Sequence, residues 1–241
     1  MSNNYNLISD FEDLLIKEVE KIINQIISDK IQLNISAKSR AGAEISDYLE
    51  EQFSKKGKEL SRYISNIEKS PKGATKNPWD LRFDFNFKKN CEEIWVDFKA
   101  LKISSLDSNP DIGTPNKVIK IIDNGFFYIL FIYVFYVEKN DGLEFQKIDN
   151  SFSKVYFLKD IEKSFRRNPK NQLQVNASSK IEKRTREEFL RLLFQKIKES
   201  HVRQIQISKK ALTTIEKDEK DIIKKNKEIE DNFIKNCLNN D

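Results

Sequence analysis

Two segments decide the fold of this chain: NPWDLRFDFNF at residues 77–87 and IWVDFKAL at residues 94–101. Apolar and polar residues alternate with period 2 in both segments, which predicts two β-strands. The polar residues 88–93 between them predict a hairpin loop, so we expect the strands to pair antiparallel. Each strand then has one apolar face for the core and one face that carries charged groups.

The charged face of this hairpin gathers groups that suit metal-dependent hydrolysis. Asp97 and Lys99 point the same way, about 7 Å apart, and strand pairing can bring Asp80 close to them. Carboxylate oxygens suit Mg²⁺, and bound Mg²⁺ lowers the pKa of water. We therefore predict Asp80 and Asp97 as metal ligands, and Lys99 as the group that positions the nucleophile. The backbone carbonyl of Phe98 is a further predicted ligand, and Asp84 is the alternative to Asp80 on the first strand.

Composition excludes several other kinds of active site. The chain has 241 residues, of which 34% are charged and 11% aromatic, as in a globular protein rather than a disordered one. Its single histidine, His201, excludes nucleases that bind metal through several histidines. The two cysteines, Cys91 and Cys237, lie too far apart in sequence to suggest a zinc site or a disulfide framework. An enzyme with this composition must use carboxylates and lysine.

The sequence has no pattern typical of secretion or membrane insertion. Its N-terminus lacks the basic and then apolar pattern of a signal peptide. The most apolar run, Phe126 to Val137, has 12 residues, which is too short to span a bilayer. We therefore expect a cytoplasmic protein without a membrane partner.

Basic residues are concentrated in the last part of the chain. Residues 154–210 contain 16 Lys/Arg and 6 Asp/Glu, whereas the remainder has a net charge of −5. Such a segment is typical of a DNA-binding surface, although a solvated helical face would look the same. Within it, residues 166–176 contain amide and basic side chains and no acidic ones; amides pair with adenine, and Arg and Lys with phosphates. The predicted DNA contacts here are Arg166, Arg167, Asn168, Lys170, Asn171, Gln172, Gln174 and Asn176.

Helical periodicity appears before the hairpin. Residues 9–27 have an apolar stripe that begins at a Ser9–Glu12 capping box, and residues 39–53 predict a second helix. Glu44, just after the small residues Ala41-Gly42-Ala43, is predicted as a peripheral metal ligand, bound directly or through water; an ordinary exposed glutamate is the alternative. Residues 60–67 predict a further short helix.

The pattern after the hairpin predicts alternating helix and strand. Thr114 as N-cap and Pro115 predict a helix to Asp123, and residues 126–137 predict a strand buried on both faces. A Thr185–Glu188 capping box begins a helix to about residue 207, and a weak heptad pattern follows. We expect an endonuclease domain at residues 1–207, with a DNA-recognition segment at 160–186. Residues 208–241 are expected to form a helical extension for dimerisation or packing.

The order of these elements resembles the PD-(D/E)XK nuclease superfamily. Pro78-Trp79-Asp80 is similar to its first motif, with a tryptophan inserted before the aspartate, and Asp97-Phe98-Lys99 is similar to its second. A closer resemblance is to the SwaI-like type II restriction endonucleases and covers most of the chain except about the last thirty residues. It is carried by residues 40–49, 76–80, 94–100, 107–117, 168–170, 174–176 and 185–189.

The resemblance implies a fold and an activity. The fold is an α/β fold (α+β, mixed sheet), with a restriction-endonuclease-like core between long N- and C-terminal helices. The activity is that of a homodimer that uses Mg²⁺ to cut both strands of a long A·T palindrome to blunt ends, with ATTTAAAT as the first expectation. The resemblance favours Asp80 over Asp84 as the metal ligand. It also adds Lys76, Asn109, Asn116 and Lys117 as DNA contacts.

The resemblance also implies companions for this activity. Mn²⁺ is expected to replace Mg²⁺, and Ca²⁺ to bind without supporting cleavage. A cognate DNA methyltransferase is expected in the same restriction-modification system. The alternatives are a structure-selective nuclease such as a junction resolvase, and a non-catalytic DNA-binding or helical interaction protein in which Asp97 and Lys99 form a structural ion pair.

Overall fold

The computed structural model describes residues 2–34, 41–71, 79–140 and 142–238, with the backbone alone for residues 2–6 and 237–238. The chain divides into two compact units, Met1–Leu193 and Phe194–Asp241. None of the helices within the described ranges is long and apolar enough to cross a membrane.

Four α-helices, nine strands and two short 3-10 helices (Ile103–Ser105 and Leu158–Asp160) make up the regular structure of these ranges. The α-helices are α1 (Ser2–Asp29), α2 (Ala41–Leu60), α3 (Pro115–Asp123) and α4 (Arg186–Leu238). The first strands are β1 (Gln32–Leu33), β2 (Ile64–Lys69), β3 (Leu81–Phe87) and β4 (Asn90–Lys102). The later strands are β5 (Ile129–Lys139), β6 (Gly142–Phe145), β7 (Ser153–Phe157), β8 (Arg166–Arg167) and β9 (Leu173–Gln174).

Seven strands form one mixed sheet in the order β1-β6-β5-β4-β3-β2, with β7 also paired to β5. β4 and β5 are parallel and are connected through α3, while β3 and β4 form an antiparallel hairpin. The predicted mixed sheet between long terminal helices is therefore confirmed.

The core follows from the alternation along the strands. On β3 and β4 the apolar side chains alternate with polar ones, so that one face of the hairpin is buried. The buried side chains of α1 and α2 belong to the same apolar cluster as this face, which means that the two helices cover it. From β3 and β4 the cluster takes Leu81, Phe83, Phe85, Ile94, Val96 and Phe98.

A buried charged cluster connects α1 with the segment that leads into α4. Lys159 has a side chain that is 2% exposed, and its ammonium lies 3.0 Å from Glu12 and 2.8 Å from Asp160. It also donates a hydrogen bond to the carbonyl of Arg184 at 2.7 Å. The two carboxylates and the carbonyl compensate the ammonium for its lost hydration, which is the condition for burying a charge.

Several element boundaries agree with the predictions. α3 begins at Pro115, and the hydroxyl of its N-cap Thr114 accepts a hydrogen bond from the Lys117 N–H. Thr185 and Glu188 exchange the hydrogen bonds of a capping box at the start of α4. The predicted end of this helix near residue 207 is wrong, however, because α4 is continuous from Arg186 to Leu238.

Other local predictions are wrong for identifiable reasons. Residues 64–69 form strand β2 rather than part of a short helix, because Ile64 is buried and pairs with Phe85 on β3. α1 starts at Ser2, and the Ser9 hydroxyl bonds Asp13 inside the helix instead of capping it. The hairpin loop contains only residues 88–89, since pairing of β3 with β4 continues to Asn90.

Candidate active site

The pairing of β3 with β4 brings the two predicted aspartates together. The register of the two strands ends at the pair Leu81–Val96, next to Asp80 and Asp97. The Asp80 N–H bonds the Val96 carbonyl at 2.9 Å, which holds the entry to β3 against β4. Asp80 Oδ2 accepts a hydrogen bond from the Phe98 N–H at 2.8 Å. The first carboxylate is thus fixed against the backbone of the strand that bears the second.

Lys99 completes a charged cluster on the face of β4 opposite the helices. Its Nζ lies 2.6 Å from Asp97 Oδ1, and the two side chains are 26% and 20% exposed. The two-residue spacing on a strand places both groups on one face, as the sequence predicted. The structure therefore brings Asp80, Asp97 and Lys99 together.

Asp97 is held in an environment that opposes its negative charge. Burial raises the pKa of Asp97 to about 7; the Lys99 ammonium acts to lower it, and the Asp80 carboxylate raises it further. One lysine therefore does not compensate the burial of Asp97 beside a second carboxylate.

A third carboxylate that the sequence did not single out interacts with this cluster. Burial raises the pKa of Glu50, on α2, to about 7, and the Asp80 carboxylate is the next largest cause, followed by Asp47. Lys69 has the opposite effect. The charge of Asp80 therefore acts on Glu50.

The predicted helix carboxylate, Glu44, lies half-buried in the first turn of the same helix. It precedes Glu50 by six residues, which corresponds to roughly 120° around the helix axis. The two glutamates thus occupy different faces of α2. Glu44 remains a proposed ligand, while Glu50 is the one whose interaction with Asp80 is resolved.

Asp84, the alternative to Asp80, is placed elsewhere. It lies four residues further along β3, opposite Glu93, and accepts a hydrogen bond from the Asn66 amide at 2.7 Å. Of the two aspartates, Asp80 is therefore the one that contacts β4 beside Asp97.

The donor set suits a hard divalent cation that keeps part of its water. Among the described residues no three carboxylate, imidazole or thiol groups are close enough together to hold a metal by themselves. Mg²⁺ is usually bound through one or two carboxylates and several waters. Asp80 and Asp97, the neighbouring Phe98 carbonyl and solvent fit that requirement.

A buried hydroxyl lies behind the charged cluster. Tyr133 on β5 is directly beside Lys99 in the parallel register and is fully buried. Within the described part of the chain its hydroxyl has no hydrogen-bond partner of acceptable geometry. The centroids of the Tyr133 and Tyr156 rings are 5.4 Å apart. Sequence offered no signal for this group, because the whole strand is apolar or aromatic.

The predicted recognition segment forms a small hairpin, β8–β9. Asn168 and Gln172 bond each other through both backbone and side chains, and the Gln172 amide donates to Asp111 Oδ2 at 2.7 Å. The side chains of these two residues are therefore largely used within the protein. Arg166 and Lys170 are exposed, and the remaining predicted contacts of this segment, Arg167, Asn171, Gln174 and Asn176, are half-buried.

The loop after β4 supports this hairpin. Ile112 and Gly113 exchange backbone hydrogen bonds with Leu173, and the Asn176 amide bonds the Asp107 carbonyl. The predicted contacts of this second segment, Asn109, Asn116 and Lys117, are exposed. Two of the predicted DNA-contact segments are thus adjacent. The third, at Lys76, lies outside the described residues.

The raised pKa of Asp97 predicts a pH-dependent stability in the presence of EDTA. Because the folded-state pKa is above the ordinary value of 3.8, stability falls as pH rises towards and through 7. Asp97→Asn removes this charge and should stabilise the protein at pH 8 by about 1–3 kcal/mol. The gain should shrink towards pH 5.

Urea denaturation at the two pH values measures this effect. Asp10→Asn, at an exposed position of α1, is the matched control and should be neutral at both. An Asp97→Asn protein less stable than wild type at pH 8 would contradict the inferred cost of this buried charge.

No curated protein matches the sequence. A solved structure described as NlaIV restriction endonuclease has a TM-score of 0.49 and 13% sequence identity, with 74% of this chain and 78% of that chain covered. The sequence matches the SwaI-like family, described as SwaI restriction endonuclease, over residues 7–215. This match extends over most of the chain, so the protein belongs to the SwaI-like family of restriction endonucleases and is a site-specific deoxyribonuclease.

Proposed function

We propose that this endonuclease uses Mg²⁺ to cut both strands of a long A·T palindrome. The observation that carries the proposal is that the Asp80 carboxylate bonds the N–H of Phe98, the residue after Asp97, while Lys99 lies 2.6 Å from Asp97. Two carboxylates with one ammonium leave a negative charge that a divalent cation would neutralise. The family membership supplies the substrate, which is DNA.

Each group of the site has a separate role in phosphodiester hydrolysis. Asp80, Asp97 and the Phe98 carbonyl would hold the cation. When bound, Mg²⁺ supplies a Lewis acid that stabilises charge on the phosphate and lowers the pKa of water. Lys99 orients the attacking water and stabilises the charge that develops on the phosphate. Its short contact with Asp97 holds the ammonium in place for this role.

The helix carboxylates form an outer part of the site. We assign Glu50 a position near Asp80, supported by the effect of the Asp80 charge on the pKa of Glu50. Glu44 is proposed as a peripheral ligand that acts through water. Mn²⁺ is expected to replace Mg²⁺, and Ca²⁺ to bind without supporting cleavage, because Ca²⁺ prefers more ligands at longer distances.

The target sequence is proposed from the resemblance to the family and from the recognition segments. ATTTAAAT cut to blunt ends is the first expectation, and the amide side chains near β8–β9 suit adenine. Two copies of the chain are needed to present identical sites to a palindrome. A cognate methyltransferase would protect the host DNA at the same sequence.

Digestion of a plasmid of known sequence tests the whole proposal. With Mg²⁺ the wild type should give discrete fragments with blunt ends at an A·T palindrome, and with EDTA it should give none. Lys99→Ala and Asp97→Ala should lower the cleavage rate by at least about 10³-fold, because each removes a group from the cleavage centre. Asp97→Ala should still bind the site in a gel-shift assay.

Lys102→Ala is the matched control for these variants. Lys102 lies on the same strand, three residues beyond Lys99, and forms a half-exposed ion pair with Glu138. Its loss should leave cleavage unchanged. Cleavage of branched DNA alone would contradict the proposal, as would Mg²⁺-independent cleavage or a Lys99→Ala protein with wild-type activity.

The two helix glutamates should differ in their effect on cleavage. Glu50→Gln should lower the cleavage rate by about 10–100-fold, because groups that tune metal ligands contribute that much. Glu44→Gln should lower it by less. Glu59→Gln, exposed on the same helix, is the control. The rates are measured over a Mg²⁺ titration, and a larger loss for Glu44→Gln than for Glu50→Gln would refute the assignment.

A further inference from the structure

The second half of α4 has an apolar stripe that nothing in the described chain covers. Every residue from His201 to Asn236 is exposed. Apolar side chains nevertheless recur along it at positions spaced alternately by three and four residues, with Ser208, Glu219 and Asn226 at the intervening positions. They are Ile205, Leu212, Ile215, Ile222, Ile229 and Phe233, each more than half exposed, and Phe194 continues the stripe towards the helix start.

Such a stripe is typical of a helix that pairs with another helix. A long exposed helix gains most of its stability from packing its apolar face, and a repeat of seven residues is the pattern of a coiled coil. DNA is a poor candidate for the partner, because residues 201–238 contain nine Lys/Arg and seven Asp/Glu and are thus nearly neutral. We therefore use the pattern of charges along the helix to identify the partner.

We propose that this stripe binds the same stripe of a second copy of the chain, in an antiparallel coiled coil in which Phe194 faces the partner's Phe233. The paired segment then runs over about 60 Å, at 1.5 Å per residue. We call the positions of this stripe, spaced alternately by four and three residues from Phe194 to Phe233, the seam. In this register the numbers of two residues that face each other across the seam add up to 427.

The layers of this seam match in polarity. Leu212 faces the partner's Ile215, and Ile205 faces the partner's Ile222. The polar positions coincide as well. Ser208 faces the partner's Glu219, and His201 faces the partner's Asn226. The exception is Lys198, which faces the partner's Ile229.

The flanking positions also agree with an antiparallel register. Residues that directly follow a seam position lie beside the seam, and there the numbers of facing residues add up to 425. Lys209 thus faces the partner's Glu216, and because of the two-fold symmetry this ion pair occurs twice in the dimer. Val202 faces the partner's Ile223, both of them exposed apolar side chains of α4. Flanking charges of this kind set the orientation and partner of coiled coils.

Other arrangements of the same helices bring like charges together. A parallel pair sets Glu219 against Glu219 and Lys198 against Lys198 at the seam. An antiparallel pair can be shifted by one heptad in either direction. One shift sets Glu216 against the partner's Glu216, and the other sets Lys209 against the partner's Lys209. Like charges that face each other across a helix interface favour a different pairing. The antiparallel register with Phe194 opposite Phe233 avoids all of these contacts.

The functional role of this pairing rests on the proposed cleavage of a palindrome, because the pairing would join two cleavage centres. The physical argument for the pairing uses only the residues of α4. The match to the SwaI-like family ends at residue 215, within this segment. The test uses mass in solution without DNA, so that failure of the pairing and failure of the nuclease proposal are separate results.

Sedimentation equilibrium of the full chain tests the pairing. Wild type should have the mass of two chains rather than the 28.4 kDa of one. Ile222→Asp should raise the dimer dissociation constant by roughly 100-fold or more, because each dimer loses two buried isoleucines. Ile207→Asp is the matched control: Ile207 is 62% exposed, as against 59% for Ile222, but lies outside the seam and should have no effect.

Charge exchange tests the orientation. Lys209→Glu and Glu216→Lys should each weaken the dimer, and the double variant should restore it, because the two positions face each other only in this register. In a parallel pair Lys209 would face Gln204 and Glu216 would face Ala211, so the double variant would show no rescue. A monomeric wild type, an Ile222→Asp dimer as stable as wild type, or absence of rescue would overturn the proposal.

Discussion

The register between β3 and β4 is the constraint on which the rest of the molecule depends. It brings Asp80 next to the segment of β4 that bears Asp97, while the alternate residues of both strands enter the core beneath α1 and α2. A slip of one residue would turn every side chain of a strand to the other face. The same apolar packing that stabilises the sheet therefore fixes the geometry of the cleavage centre.

The resulting site combines burial with an excess of negative charge. Burial and neighbouring carboxylates raise the pKa values of Asp97 and Glu50 to about 7 each, and Lys99 is paired with only one of the acids. A divalent cation would stabilise the ionised forms and lower both pKa values. The cost of these buried charges thus explains why the same residues are suited to bind metal.

Sequence periodicity was sufficient for the central hairpin, since alternation assigns Asp97 and Lys99 to one face whatever covers the other. Periodicity was insufficient wherever contacts between distant parts of the chain determine the local structure. Residues 64–69 became a strand through pairing with the edge of β3. The interaction of Glu50 with Asp80 depends on the rotation of α2 over the sheet, which no local pattern encodes. Likewise, only the fold shows that Gln172 bonds Asp111.

The central claim is that Asp80 and Asp97 together hold the divalent cation of this endonuclease. Crystals grown with Mn²⁺ and uncleavable target DNA would test it most directly, through the anomalous signal of the metal. A peak within about 2.5 Å of oxygens from both carboxylates is the predicted result. Mn²⁺ bound elsewhere, with Asp97 still paired to Lys99 alone beside the scissile phosphate, would contradict the account.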